Sequence, residues 1–326
     1  MAHPKVSFAL VCYQQEEFVR DAVRSALAQE YEPLEIILSD DCSADSTFDI
    51  IEEEIAGYDG PHTVNINRNS TNLRVEHLNK VMTLARGDFV VIAHGDDISV
   101  PNRTHRLVDT WIQKKVSLVS SNAMVVDAER RPLGLLNSVE TDLEITLEEI
   151  IFRSWDNTRL GATLACDREV FSRFNPIDRQ RIVGGVDHIL PFRAGLLNGM
   201  YYLGEPLVQW RKHGRNWTDR TSNKTSTKMV FAETNAAYDV GAMIYMLEEL
   251  GQFSKDHHDK ARMDDVNRKL VTSILRKTQY WTQCRVSLGL DSLMPTWVDK
   301  EELEEKPIKE LFRLQPQVPI DGSSKN

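Results

Sequence analysis

Over the first 125 residues, short apolar runs alternate with stretches whose apolar residues recur every three to four positions. That alternation restricts the chain to an α/β architecture, a sheet with helices laid on its faces. The runs Val6–Cys12, Leu34–Ser39, Thr63–Asn67, Phe89–Ala93 and Leu118–Val126 read as strands. Between them, Phe18-Val19, Ala22-Val23 and Ala26-Leu27 keep helical spacing. Phe48, Ile51 and Ile55 repeat it, as do Leu78, Val81-Met82 and Ala85, after which Gly87 closes the helix. The strand runs show little polar alternation, so a mostly parallel sheet buried on both faces is expected.

The middle of the chain is less regular. A helix is expected near Thr146–Arg153, a strand near Ala162–Asp167, and a glycine pair stands at Gly184-Gly185. Met200–Leu203 and Leu207–Lys212 read as a hairpin turned by Gly204-Glu205-Pro206. From residue 226 the pattern turns helical, with Val266, Leu270-Val271, Ile274-Leu275 and Trp281 on one stripe. The expected division is therefore 1–225, with a first half to 125 and a second half from 126, followed by a helical extension over 226–326 with a flexible tail.

Loops at the carboxyl ends of strands carry the chemistry of open α/β sheets. Three such ends are polar here: Cys12-Tyr13-Gln14-Gln15, Ser39-Asp40-Asp41-Cys42-Ser43-Ala44-Asp45, and His94-Gly95-Asp96-Asp97. Adjacent carboxylates repel, and a hard divalent cation relieves that repulsion while borrowing substrate phosphates as ligands. Asp40, Asp41 and Ser43 are equally suited to capping the helix that follows them. Neither G-x-G-x-x-G nor G-x-x-x-x-G-K-[ST] occurs, and there is no G-x-S-x-G or H-E-x-x-H. A formal charge of -10, from 49 acidic and 39 basic residues, disfavours nucleic-acid binding. Four scattered cysteines fit neither a zinc knuckle nor a disulfide framework. With no signal-peptide pattern and no apolar stretch near ~20 residues, a cytoplasmic protein is expected. Peripheral association with the inner face of a membrane stays open.

Val6-Ser7-Phe8-Ala9-Leu10-Val11-Cys12-Tyr13-Gln14, Ser25-Ala26-Leu27-Ala28-Gln29 and Ile36 through Thr47 together resemble the opening of a family 2 glycosyltransferase with the GT-A fold. Leu78-Asn79-Lys80, Ala85-Arg86-Gly87-Asp88 and Gly95-Asp96-Asp97-Ile98 resemble that family's middle block. Gly184-Gly185-Val186-Asp187, Arg193 and Trp210-Arg211-Lys212-His213 resemble its acceptor-side motifs. The resemblance implies an inverting transfer of sugar from a UDP- or dTDP-type donor to a glycan, lipid-linked or protein acceptor, as in bacterial surface-glycan assembly. It implies that Asp41 bonds the base in a pocket lined by Val11 and Tyr13, and that Asp96 approaches the ribose. Asp97 would ligate Mg²⁺ or Mn²⁺, Asp187 would act as general base, and His213, with Arg211, would close over the diphosphate. His213 is thereby a second candidate at the metal. Two departures stand out: His94 replaces the first Asp of an Asp-x-Asp-Asp pattern, and Leu73 replaces a glycine. Arg68 and Arg74 nearby suit either a diphosphate contact or a solvated loop.

Asp187 also suits a helix N-cap. His257-His258-Asp259 reads as solvated surface, and Trp111 and Trp281 as core. Trp210 and Trp217 suit either packing or stacking on a sugar. The last hundred residues suit an acceptor-side cover, a homo-oligomer surface or a membrane-surface helix. Two rivals to the transferase are a nucleotidyltransferase, which would need a basic glycine-rich loop after the first strand, and a noncatalytic binder that retains the fold.

Overall fold

A computed structural model describes residues 3–152, 157–182, 186–214, 228–255 and 257–289. Four parallel strands form one half of its sheet in the order β3-β2-β1-β4: β1 (Val6–Cys12), β2 (Leu34–Asp40), β3 (Thr63–Arg68) and β4 (Phe89–His94). Val11 lies opposite Ser39 on one side and His94 on the other, so three strands finish level and hand their loops to one edge.

Four helices, α1 (Val19–Leu27), α2 (Thr47–Ala56), α3 (His77–Leu84) and α4 (Arg103–Lys114), cover this half. Val19, Ala22, Val23 and Ala26 of α1, Ile51 of α2 and Leu107 of α4 pack with Phe8, Ile36 and Val91 on one face. Val81 and Met82 of α3 meet Ala9, Ile37 and Val90 on the other. Helical spacing in the sequence thus becomes burial on two faces.

The other half is mixed. It contains β5 (Ile98–Ser99), β6 (Leu118–Val126), β7 (Pro132–Leu135), β8 (Leu143–Ile145), β9 (Ala165–Asp167) and β10 (Met200–Arg211). β9 lies antiparallel between β4 and β6, while β10 runs parallel to β6 and meets β5 at its far end.

Two expectations change. β3 is an edge strand with much of its surface exposed, Ile66 at 40% among it, because no strand lies beyond it. The expected hairpin over 200–212 is one strand. Gly204-Glu205-Pro206 forms a bulge, with register shifts against β6 on both sides of Pro206. Proline has no N–H to give the ladder, and a Cβ on Gly204 would lie 2.0 Å from the Glu140 carbonyl oxygen. Close approach of a neighbouring loop, rather than reversal, is why glycine stands there.

The remaining helices are α5 (Leu147–Phe152), α6 (Glu169–Ser172), α7 (Val186–Leu196), α8 (Lys228–Phe253) and α9 (Lys260–Ser287). Met263, Val266, Leu270 and Ile274 of α9 join Met243 and Met246 of α8, Ile189 and Phe192 of α7, and sheet residues in one core. The two C-terminal helices therefore complete the second half's core. Trp281 is buried, and Trp111 stacks on Phe89 at 4.7 Å. Asp259 caps α9 by accepting from the Arg262 N–H, which gives the His257-His258-Asp259 stretch a structural role. Gly184-Gly185, Trp217 and the C-terminal tail lie outside the described residues. Among the described residues no helix is long and apolar enough to cross a membrane.

Candidate active site

The level strand ends are welded by backbone hydrogen bonds: the Asp41 N–H donates to the Cys12 carbonyl at 2.9 Å and the Gly95 N–H to the Val11 carbonyl at 3.0 Å. Asp40, fully buried, accepts from the Ser43 N–H at 2.9 Å and from the Ser43 hydroxyl, closing its own turn. The first turn of α2 is served instead by Asp45, which accepts from the N–H and hydroxyl of Thr47.

Asp41 is 3% exposed and is gripped by the loop after β3. Its oxygens accept from Asn69 Nδ2 at 2.8 Å, the Leu73 N–H at 2.9 Å and the Arg74 N–H at 2.8 Å. Leu73, where glycine was expected, thus contributes through its backbone. Arg74 takes φ 56°, and its guanidinium forms no hydrogen bond or ion pair with a described residue. Arg68 instead donates to the Ser43 carbonyl and lies over Phe48. Val11 is half-buried and Tyr13 is exposed at the lip.

The third strand end gathers a possible ion cage of His94, Asp96 and Asp97, with one ligand atom from each lying within 4.8 Å of the others. Asp97 is buried, and its Oδ1 accepts from the Arg211 N–H at 2.8 Å, across 114 residues of sequence. Burial, and then the neighbouring Asp96 charge, push the Asp97 carboxyl well above the ordinary range. Burial also acts against the Asp96 anion, but the His213 hydrogen bond and the nearby imidazoles outweigh it and hold that carboxyl low. His213 Nε2 lies 3.2 Å from Asp96 Oδ2, and its ring packs on Phe18 at 4.4 Å. Asp96, half-buried, and Asp97, buried, set two carboxylates side by side, a donor set suited to a divalent cation.

Arg211 does not face the cleft. It is 1% exposed, donates to Asp21 at 2.8 Å and lies over the Phe18 ring at 4.9 Å. Burial inside the sheet takes its side chain toward α1, while its backbone N–H reaches Asp97.

Arg103, absent from the sequence reading, lies fully buried beneath the cage. It donates to Ser99 Oγ and to the Ile92 and Ala162 carbonyls, each at 2.8 Å. Burial lowers its pKa to about 9 against the opposing pull of Asp97. A cation in the first turn of α4 opposes the helix dipole, and burial against these acceptors offsets that cost.

Asp187 lies within the first turn of α7, which begins at Val186. Its position is fixed by Gly161: a Cβ there would lie 2.5 Å from Asp187 Oδ1 and 3.4 Å from His94 Cε1. The Asp187 carboxylate and the His94 ring therefore meet across a glycine that Arg103 tethers through the adjacent Ala162 carbonyl. Nothing local in Gly161-Ala162-Thr163 announces this. Arg193 braces α7 by donating to Glu249 of α8 at 3.0 Å and to the Asn175 carbonyl at 2.7 Å. His188 lies 3.5 Å from Asp239, which Lys277 of α9 meets at 2.6 Å.

Residues 7–171, half of the chain, match the model for Glycosyl transferase family 2. The succinoglycan biosynthesis protein ExoO of Rhizobium meliloti is 27% identical over 165 residues, covering 47% of this chain and 45% of that protein. S. aureus TarS 1-349 in complex with UDP-GlcNAc superposes with a TM-score of 0.58 at 16% identity, covering 87% of this chain and 80% of that one. The mannosyltransferase PcManGT of Pyrobaculum calidifontis, in complex with GDP-Man and Mn²⁺, superposes with a TM-score of 0.52 at 12% identity, covering 89% and 76%. The fold of the chain is thus GT-A-like, a mixed sheet flanked by helices.

Proposed function

Since this chain belongs to glycosyl transferase family 2, we propose that Asp187 is the general base of an inverting transfer from a UDP- or dTDP-type sugar to a glycan, lipid-linked or protein hydroxyl. The observation that carries this reading is that Asp187, from the second half of the chain, and His94, at the end of β4, both border Gly161. A base and an anion-handling edge in one cleft are what a direct displacement at a sugar carbon requires.

A sugar hydroxyl is a poor nucleophile near neutral pH, so Asp187 takes its proton as attack proceeds. That assistance supplies ~10²–10⁴ in rate, against at least ~10⁶ for most enzymes overall. The remainder must come from binding and from charge stabilisation on the departing diphosphate. A divalent ion, Mg²⁺ or Mn²⁺, held by Asp97 with His213 at its flank, would supply the latter. Asp41, with Val11 and Tyr13, borders the space for the base, and Asp96 lies toward the ribose. Arg74 offers the nearby diphosphate an uncommitted cation. Arg211 acts through its N–H, fixing the Asp97 carboxylate.

Thermal unfolding with UDP, dTDP, GDP and CDP, each with and without Mn²⁺ or Mg²⁺, tests the donor half. A nucleotide at 100 times its dissociation constant adds about 2.7 kcal/mol and raises the midpoint by several degrees. A metal-dependent rise with UDP or dTDP is expected, and no rise with any pair would overturn the reading. Asp187→Asn should then keep the rise while donor turnover disappears. Turnover at the parent rate in that variant would remove Asp187 as the base, and binding without turnover in the parent would mark a noncatalytic protein.

A further inference from the structure

The family pattern places a carboxylate where this chain has an imidazole, and the geometry gives that imidazole a use. β4 alternates its faces: Phe89, Val91 and Ala93 enter one core, and Ile92 enters the other with α7. His94 follows Ile92 at the strand period of two, so its ring points toward α7 and the Asp187 carboxylate. It is half-buried, and its imidazole makes no hydrogen bond with a described residue. Asp97 shows matching readiness: Oδ1 is fixed by the Arg211 N–H, while Oδ2 takes no hydrogen bond from a described residue. An ion with bonds of ~2.1 Å spans opposite ligands roughly 4.2 Å apart. The three ligand atoms lie within 4.8 Å of one another, close enough for side-chain adjustment to bring them onto one ion.

We propose that His94 is a direct nitrogen ligand of the divalent ion, completing a His94-Asp96-Asp97 cage that prefers Mn²⁺ and other first-row transition ions over Mg²⁺. The inference rests on the donor-site reading above and adds the ligand set and the ion class. Imidazole in place of carboxylate removes one negative charge from the cage. That weakens the attraction for Mg²⁺, which favours oxygen and near-ideal octahedral geometry. The nitrogen donor favours transition ions, whose affinities rise along the series from Mn²⁺ to Cu²⁺. The His213 Nε2 contact with Asp96 Oδ2 gives His213 the part of orienting a ligand in this arrangement.

Pulsed electron paramagnetic resonance of the full chain loaded with Mn²⁺ and UDP reads the ligand directly. Nitrogen modulation is expected, and it should change isotope when the protein carries ¹⁵N-histidine. It should persist in His213→Gln and vanish in His94→Gln. Titrations followed by thermal stability should show Mn²⁺ supporting UDP binding at lower concentration than Mg²⁺, with His94→Asp narrowing the gap about tenfold. UDP-dependent stabilisation by Mn²⁺ without histidine nitrogen modulation would overturn this inference alone. Modulation that survives His94→Gln and disappears in His213→Gln would assign the nitrogen to His213 and overturn it equally. No binding of Mn²⁺ with UDP would instead remove the donor-site reading on which it rests.

Discussion

Asp97 is pulled in two directions: a cation needs it ionised, and burial beside Asp96 opposes that ionisation. A carboxyl raised in the folded state adds stability below its unfolded value of about 3.9 and withdraws it as pH climbs toward the folded value. The metal-free protein should therefore lose stability through this group as pH rises from about 4 toward neutrality. Asp97→Asn should unfold at a higher temperature than the parent at pH 7.5, with the advantage shrinking at pH 5. The same variant should lose the Mn²⁺-dependent gain with UDP, and parallel melting curves for parent and variant across pH would contradict the assignment. The acidic pairs were legible in sequence because charge repulsion between neighbours is a local fact. Arg103 and Gly161 were not, since their roles arise from partners far along the chain. Arg103 reaches the Ala162 carbonyl across 59 residues.

Among the elements, α7 carries the proposed base, Asp187, in its first turn. Gly161→Ala should drive a methyl group into the Asp187 carboxylate, whose Oδ1 lies 2.5 Å from that Cβ position. A misplacement of ~1 Å costs on the order of 10²-fold in rate. Turnover should fall by about that factor while the thermal shift with UDP and Mn²⁺ is retained, and equal loss of both would place Gly161 in the donor site instead. The strands β1, β2, β4 and β6 could be read from sequence because burial leaves them dominated by apolar residues, even where Ser120-Ser121-Asn122 interrupts β6. β10 was misread because Gly-Glu-Pro marks a bulge as readily as a turn. Only Glu140 packed against Gly204, distant in sequence, decides between the two. For β3 the apolar run was short, and its place at the sheet edge is a property of topology that no local pattern encodes.

At the scale of the molecule, the C-terminal helices complete the second half's core, and a buried ion pair ties them to α7. Arg193 and Glu249 are nearly inaccessible, and burial pushes the Glu249 carboxyl up against the pull of Arg193. Arg193→Ala would strip that buried carboxylate of its ion-pair partner, leaving Tyr245 and the more distant Arg181, a loss of up to about 3–5 kcal/mol. A joint replacement by Met and Leu should recover much of the melting temperature. If the single variant melts with the parent, the pair is not the brace. The 114-residue span between Asp97 and Arg211 has a temporal meaning as well. The four parallel strands can pair as soon as they exist, since β1 to β4 are close in sequence. The N–H that orients Asp97 belongs to a strand made much later, and long loops close slowly. On the ribosome, then, the four-stranded half emerges before Asp97 has its anchor. If Asp97 holds the ion as proposed, the donor site is complete only once the chain has been synthesised past the end of β10.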